Sequence, residues 1–425
     1  MAETSVLLGI DVGSSGTKAV LVDPSIGVLA TASSDVELWS RHAGWAEADP
    51  VQWTSSIGSV VSALTAQAGI SAADISAVAV SGMVPAVVCV DEHKNPLRFA
   101  ILQNDARAVV EIDELQAELS AVDLLAQTGS VITQQSVAPT LRWLSRHEPD
   151  VIAKTAHVVG SYDFIAMKLG ARPHVESNWA LESGLYDRVN QPQSDVVAAI
   201  NLDTTLLAEV LNPGTIVGEV DAEGQAFSGL NIGTPIVVGG ADHVLSAYGA
   251  GLTVEGDWLI KLGGAGDILA VSTTEVLDPR LYLDLHPVDG LYLPNGCMAT
   301  SGSLLRWLQH LVGDADLLTL DAEAETRTPA DLLCLPYFLG EKSPLHDPDL
   351  RGAFVGLHLG TTRGDMHRAS LEAIAYGFRQ HQQILNELGI PTTSARVTNG
   401  GSKSTLWKRI LASVLQTPLT PVLNH

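Results

Sequence analysis

Apolar and polar positions fall into two alternating periods along this chain. Short β-branched runs at residues 7–10, 19–22, 77–80 and 86–90 have the length and composition of buried strands. Between the second and third runs, residues 50 to 68 set Trp53, Ile57, Val60, Val61 and Leu64 on one face of a helix. Strand-rich and helix-rich segments mixed in this way predict an α/β architecture. The apolar uncharged stretch 77 to 90 contains Gly82 and Pro85 and is too short for a membrane span, so two buried strands around a turn are expected there.

The pattern also repeats. "LLGIDVGSSGTKAVLV" near the start and "DWLIKLGGAGDILAVS" at 257 to 272 are each an apolar strand, a small-residue loop and a second apolar strand. A pair of matched hairpins some 250 residues apart suggests two related halves, the alternative being coincidence between two Gly-rich turns. The loops are Gly13-Ser14-Ser15-Gly16 and Gly263-Gly264-Ala265-Gly266. Backbone N–H groups in such a loop can converge on an anion, and the missing side chains allow a phosphate to approach. Ser14, Ser15 and Thr17 add hydroxyls, and Lys18 adds a cation. The first loop is neither a Walker A motif nor a dinucleotide fingerprint, because both spacings are absent and a strand follows it.

Three further places carry chemistry. Asp11, in the strand before the first loop, suits Mg²⁺ or caps its own turn. In "PIVVGGADHVLSAYGAG", 235 to 251, Asp242 follows a buried strand and two glycines, as a general base projecting from a strand end or as a helix N-cap. "VTNGGSKSTLWKRIL", 397 to 411, runs from a strand through Gly400 and Gly401 into an amphipathic helix, a geometry that suits an anion or a flat ring.

Composition narrows the class. The 425 residues allow two or three domains, and 46% hydrophobic residues supply ample core. With 24 Lys and Arg against 48 Asp and Glu, the formal charge of −24 argues against a nucleic-acid surface. The N-terminus has no basic region ahead of an apolar core, so a soluble, cytoplasmic protein is expected. Cys89, Cys297 and Cys334 are widely spaced and read as reduced core thiols, not as a disulfide or zinc framework.

Together these segments resemble the FGGY carbohydrate kinases, a family that includes xylulokinases, ribulokinases, gluconokinases and glycerol kinases. "GIDVGSSGTKAVLVD" is similar to the family's first phosphate motif, and "GWAEADPVQW" (44–53) to the stretch that follows it. "NDAR" (104–107) resembles its sugar-site motif and "GGADH" (239–243) the element with the catalytic Asp. "LGEKSPLHDPDLRGAFVGL" (339–357), "HRASLEAIAYGFR" (367–379) and "NGGSKSTLWKRILASVLQTPL" are similar to the C-terminal signature and adenosine motif, all in family order.

The resemblance implies a two-lobed actin-like fold of duplicated ribonuclease H-like domains around a central cleft, divided as residues 1–247 and 248–425. It implies ATP-dependent phosphorylation of a hydroxyl on a small sugar, ketopentoses such as xylulose or ribulose leading and polyols or aldonic acids following. Asp242 would be the base and Asp11 the Mg²⁺ ligand. Gly13, Ser14, Ser15, Thr17, Lys18, Gly263 and Gly264 would surround the phosphates of ATP, and Gly400, Gly401 and Ser402 its adenosine. Met83, Val84, Asp105, Arg107, Asp242 and His243 would face the substrate. A homodimer is compatible with the family. A non-catalytic actin-like binding protein is the competing reading, and a nicotinamide dehydrogenase is a remote one without GxGxxG.

Several positions depart from the family pattern. Xylulokinases carry Gln-Met-His-Gly where this chain has Met83-Val84-Pro85-Ala86, so a His donor to the sugar is gone. His243 stands where Asn or Gln is usual and is expected either to contact substrate, to tune Asp242 or to satisfy a local bond. Gly264 replaces a common Thr, and Lys342 replaces an Arg without its bidentate fork. The sequence ends at "TPVLNH", ahead of the family's final helices, which leads to the expectation of a more open adenine side. Trp39, Trp45 and Trp179 are candidates for stacking on a sugar face, with core packing as the alternative.

Overall fold

The computed structural model describes residues 5–327 and 331–422. The chain forms two compact units, one ending at Leu245 and the next beginning at Ser246.

In the first unit the opening hairpin forms because Val6, Leu8, Ile10 and Val12 alternate onto one buried face. The strand Val6–Val12 pairs antiparallel with Gly16–Asp23, which pairs antiparallel with Gly27–Asp35. On its other side Val6–Val12 runs parallel to Ile75–Gly82, which runs parallel to Pro235–Ala241, and Ile216–Glu219 closes the edge. The expected helix spans Pro50–Ala68, starting from a side-chain cap by Asp49 and ending at Gly69, whose φ of 68° is left-handed. Its face of Trp53, Ile57, Val60, Val61 and Leu64 is buried over the second and third strands of the sheet. The run at 86–90 is a strand only over Val88–Val90, and it pairs with His157–Val159 outside the main sheet.

The second unit repeats the plan. Tyr292–Met298, Gly266–Ala270 and Asp257–Leu262 are antiparallel neighbours, Ser394–Thr398 and Leu419–Pro421 continue in parallel, and Tyr282–Leu285 is added at the edge. Both units therefore carry three antiparallel strands followed by two parallel ones, the ribonuclease H-like arrangement, each with one extra edge strand. The helix Arg363–Glu387 precedes the first parallel neighbour as Pro50–Ala68 does in the first unit. Its Leu371, Ile374 and Phe378 join Trp258, Ile260 and Trp407 in a continuous core.

The two hairpins differ by one residue. Val12 pairs with Thr17, leaving four residues in the first loop, whereas Leu262 pairs with Gly266, leaving three in the second. Among the described residues no helix is long and apolar enough to cross a membrane. The cysteines are free, and burial pushes the thiols of Cys89 and Cys334 up to about 11 and about 12, so both stay protonated.

Candidate active site

Three parallel strands of the first unit end along one edge, and the register fixes what stands there. Asp11 pairs with Ser81 and Ser81 with Gly240, so one row crosses all three strands. Ser81 donates its hydroxyl to Oδ1 of Asp11 at 2.8 Å. Strand Pro235–Ala241 carries a bulge between Val237 and Gly240, where one residue is left over. Gly239 makes the bulge possible, since a Cβ there would lie 1.9 Å from the carbonyl oxygen of Val80. The strand is thereby re-aimed just before Asp242, which opens the helix Asp242–Gly249. Carboxyl ends of parallel strands are the common ligand edge of α/β sheets.

Asp242 is partly exposed and has His243 beside it, Nδ1 to Oδ1 at 3.4 Å. The other ring nitrogen, Nε2, lies 3.7 Å from Oε1 of Glu182, a residue the sequence did not single out. Beneath this edge Glu176 is fully buried, its Cδ lying 3.6 Å from where a Cβ on Gly240 would be. Glu176 accepts from Tyr162, Ser177, Asn178 and the Trp179 backbone, and its own N–H donates to Asp163.

In the first loop, the N–H of Gly13 donates to the Gly16 carbonyl at 2.9 Å and closes the turn, leaving Ser14 and Ser15 exposed at its tip. Lys18 is exposed and stands across the ladder from Asp11. Thr17 differs from its expected role as a hydroxyl donor to phosphate. Strand alternation turns its side chain into the core, where Oγ1 accepts from Ser56 at 2.7 Å, so only its backbone remains available near the loop.

The sugar-motif residues form a buried ionic cluster. Arg107 donates Nε to Oδ1 and Nη2 to Oδ2 of Asp105, and the Ala46 N–H also donates to Oδ2. Nη2 of Arg107 also lies 3.0 Å from Glu47, which pairs with Arg98 as well. The guanidinium sits 3.8 Å from the Trp45 ring centroid. Trp45 therefore stacks on Arg107, while Trp179 is fully buried and donates Nε1 to Ala86 O at 2.9 Å, a core role. Trp39 packs edge-on against Phe99. Met83 and Val84 are buried, with the Met83 N–H donating to Val12 O at 3.2 Å.

In the second unit a cavity of about 390 Å³ gathers Gly263, Gly264, Gly400 and Gly401. Apolar walls come from Leu305, Leu318, Leu371 and Trp407, and polar groups from Arg306 and Asp321, which lie outside every quoted motif, and from His367, which opens one but was given no role. Gly264 gives room to Arg306, whose Nη2 lies 3.1 Å from where a Cβ at 264 would stand. Ser402 is buried and donates its hydroxyl to Asn399 O at 2.7 Å, holding the turn.

The doubled ribonuclease H-like sheet, with a carboxylate edge in one unit and a glycine-walled cavity in the other, defines an actin-like protein of the sugar-kinase class. The family model for the N-terminal domain of FGGY carbohydrate kinases matches residues 6–249, and that for the C-terminal domain matches 263–424. The chain belongs to the FGGY family of carbohydrate kinases, enzymes that phosphorylate small sugars with ATP. The crystal structure of xylulose kinase from Rhodospirillum rubrum is 43% identical, with a TM-score of 0.90 over 98% of this chain and 86% of that one. The xylulose kinase of Staphylococcus xylosus is 27% identical over 97% of this chain and 86% of its own length. Glycerol kinase from Plasmodium falciparum, at 19% identity and a TM-score of 0.89 over 98% of this chain and 86% of its own, shares the fold.

Proposed function

We propose that the chain transfers the γ-phosphoryl group of ATP to a hydroxyl of a ketopentose, with xylulose the leading acceptor. The observation that carries this reading is the row of Asp11, Ser81 and Gly240 with Asp242 just past its end, which sets two carboxylates on one strand edge. The acceptor class is supported by 43% identity to the xylulose kinase of R. rubrum.

Phosphoryl transfer asks the protein for positioning, charge neutralisation and a base. Asp242 accepts the proton of the acceptor hydroxyl as that oxygen attacks the γ-phosphorus. The P–O bond to ADP breaks, and the proton passes from Asp242 to solvent afterwards. His243 and Glu182 hold the Asp242 carboxylate in orientation. In the first unit Gly13, Ser14, Ser15 and Lys18 serve the phosphates, as do Gly263 and Gly264 in the second. Gly400, Gly401 and the turn fixed by Ser402 serve the adenosine. The hard oxygens at Asp11, with Ser81 on Oδ1, suit Mg²⁺, which would be held there and would neutralise phosphate charge. Asp105 holds Arg107 through Nε and Nη2, which supports a role in shaping the sugar side, and Nη1 of Arg107, buried without a hydrogen-bond partner, is left to meet a sugar hydroxyl.

The test is ADP release with Mg·ATP across ketopentoses, polyols and aldonic acids. Turnover on xylulose well above the others is expected. Turnover confined to a polyol or an aldonic acid would overturn the acceptor class, and none on any acceptor would overturn the catalytic reading.

A further inference from the structure

One cation stands at the second glycine loop without a counter-ion. The helix Gly302–Leu311 begins directly on that loop. The N–H of Gly302 donates to Gly263 O at 2.8 Å, and the N–H groups of Ser301 and Ser303 donate to Gly264 O at 2.8 and 3.1 Å. The Ser303 hydroxyl adds a bond to Gly264 O at 2.9 Å. One turn further along this anchored helix, Arg306 reaches back over the loop, its Nη2 3.1 Å from where a Cβ at 264 would stand. Arg306 is exposed and lines the cavity, so a ligand lying there can touch it. Every other arginine of the chain has a carboxylate, a carbonyl oxygen or an aromatic ring as partner. Among the described residues Arg306 has none of these. Lys403 is a second cation on the same wall, and the acid there, Asp321, already meets His367 at 2.8 Å and Ser404 at 2.5 Å. In a chain with 48 acids against 24 Lys and Arg, an arginine left without an acid beside a glycine loop marks the place of an anion.

We infer that Arg306 pairs with the phosphate chain of the bound nucleotide and does at the second loop what a hydroxyl at residue 264 would otherwise do. The inference rests on assigning this cavity to the nucleotide. A guanidinium is a permanent cation that offers paired N–H groups to two phosphate oxygens, whereas a hydroxyl offers one neutral donor. Gly264 is the other half of the exchange, because a side chain there would crowd the guanidinium off the loop. The sequence shows the missing hydroxyl but not its replacement, since only the fold brings residues 264 and 306 together.

The experiment is calorimetric binding of ADP and of adenosine to the full chain and to Arg306→Met, which keeps the aliphatic stem and the helix propensity but removes the charge. ADP should bind the variant about tenfold or more weakly, the scale of a charge-assisted hydrogen bond, while adenosine binds as to the native chain. Arg306→Lys, which keeps the charge without the fork, should recover part of the loss. Added salt should weaken ADP binding to the native chain more than to Arg306→Met, a difference that a merely structural arginine would not produce. Gly400→Trp serves as the control for the cavity, since a Cβ at Gly400 meets open space and the indole can fill the site without displacing core. It should abolish binding of both ligands. Unchanged ADP affinity in Arg306→Met, with Gly400→Trp blocked, would overturn the role of Arg306 and leave the cavity assignment standing. Equal weakening of ADP and adenosine in Arg306→Met would overturn the phosphate contact. Unchanged ADP binding in Gly400→Trp would overturn both the inference and the assignment.

Discussion

Nδ1 of His243 lies 3.4 Å from Oδ1 of Asp242, and the same ring reaches Glu182 with its other nitrogen at 3.7 Å. The imidazole thus links two carboxylates, one at the start of a helix and one on a separate segment. A residue that orients a base should matter less than the base itself. His243→Ala should lower kcat roughly tenfold, in the range typical of groups that orient a reactive side chain. His243→Asn, which keeps a donor, should recover part of the loss. A kcat for His243→Ala as low as that of Asp242→Asn would make the histidine the base.

The hydroxyl of Ser81 on Asp11 has a separate consequence. A carboxylate oxygen already holding one hydrogen bond is fixed in direction, which suits an octahedral ion. Ser81→Ala removes one hydrogen bond worth about 1 kcal/mol, so the Mg²⁺ concentration for half-maximal activity should rise about fivefold. Titrating activity against Mg²⁺ checks this, and an unchanged midpoint would detach Asp11 from the metal.

Arg107 neutralises two buried acids. Its side chain is 1% exposed, that of Asp105 3% and that of Glu47 2%, and removing it strands Asp105 and leaves Glu47 with Arg98 alone. Breaking such a buried pair costs about 3–5 kcal/mol. Arg107→Leu should therefore lower the urea midpoint by a sizeable share of the ~5–15 kcal/mol that holds a typical domain, and Arg107→Lys, which cannot fork, should restore only part. A midpoint within error of the native value would mean that the cluster adds nothing.

Beneath the Asp242 edge, Asp163 and Glu176 titrate with folding. Burial drives Asp163 well above the ordinary carboxylate range and the charge of Glu176 adds to it, while burial also raises Glu176 against the hydrogen bonds it accepts. The folded chain thus keeps protons that the unfolded chain has released above its ordinary carboxylate pKa. Stability contributed by these groups is full below that value and falls as pH rises towards the raised folded one. Burial depresses the pKa of His174, 3.7 Å from Asp163, and that works in the opposite sense as pH falls through the histidine range. Asp163→Asn isolates the acid. Between about pH 5 and 8 its melting temperature should decline less than the native one. Parallel curves would mean that Asp163 is ionised in the fold.

Much of this was legible because period and punctuation agree. The helix at Pro50–Ala68 has its cap, its proline, its apolar face and its closing glycine all in the sequence. The two hairpins were legible for the same reason, and their kinship led to the doubled sheet. Thr17 was misjudged by its nearness to the loop, although strand alternation with Ala19 and Leu21 already pointed it inward. What stayed hidden depends on tertiary approach. The bulge at Gly239 arises from contact with a strand more than a hundred residues away, and Ser404 meets Asp321 across 83 residues. No local pattern encodes either.

The most direct test is ADP release by Asp242→Asn with xylulose and Mg·ATP, beside its affinity for ADP. The account expects turnover to fall about 10³-fold or more, since general base catalysis contributes on the order of 10²–10⁴, while ADP binds as to the native chain. Turnover within a few-fold of native would contradict it.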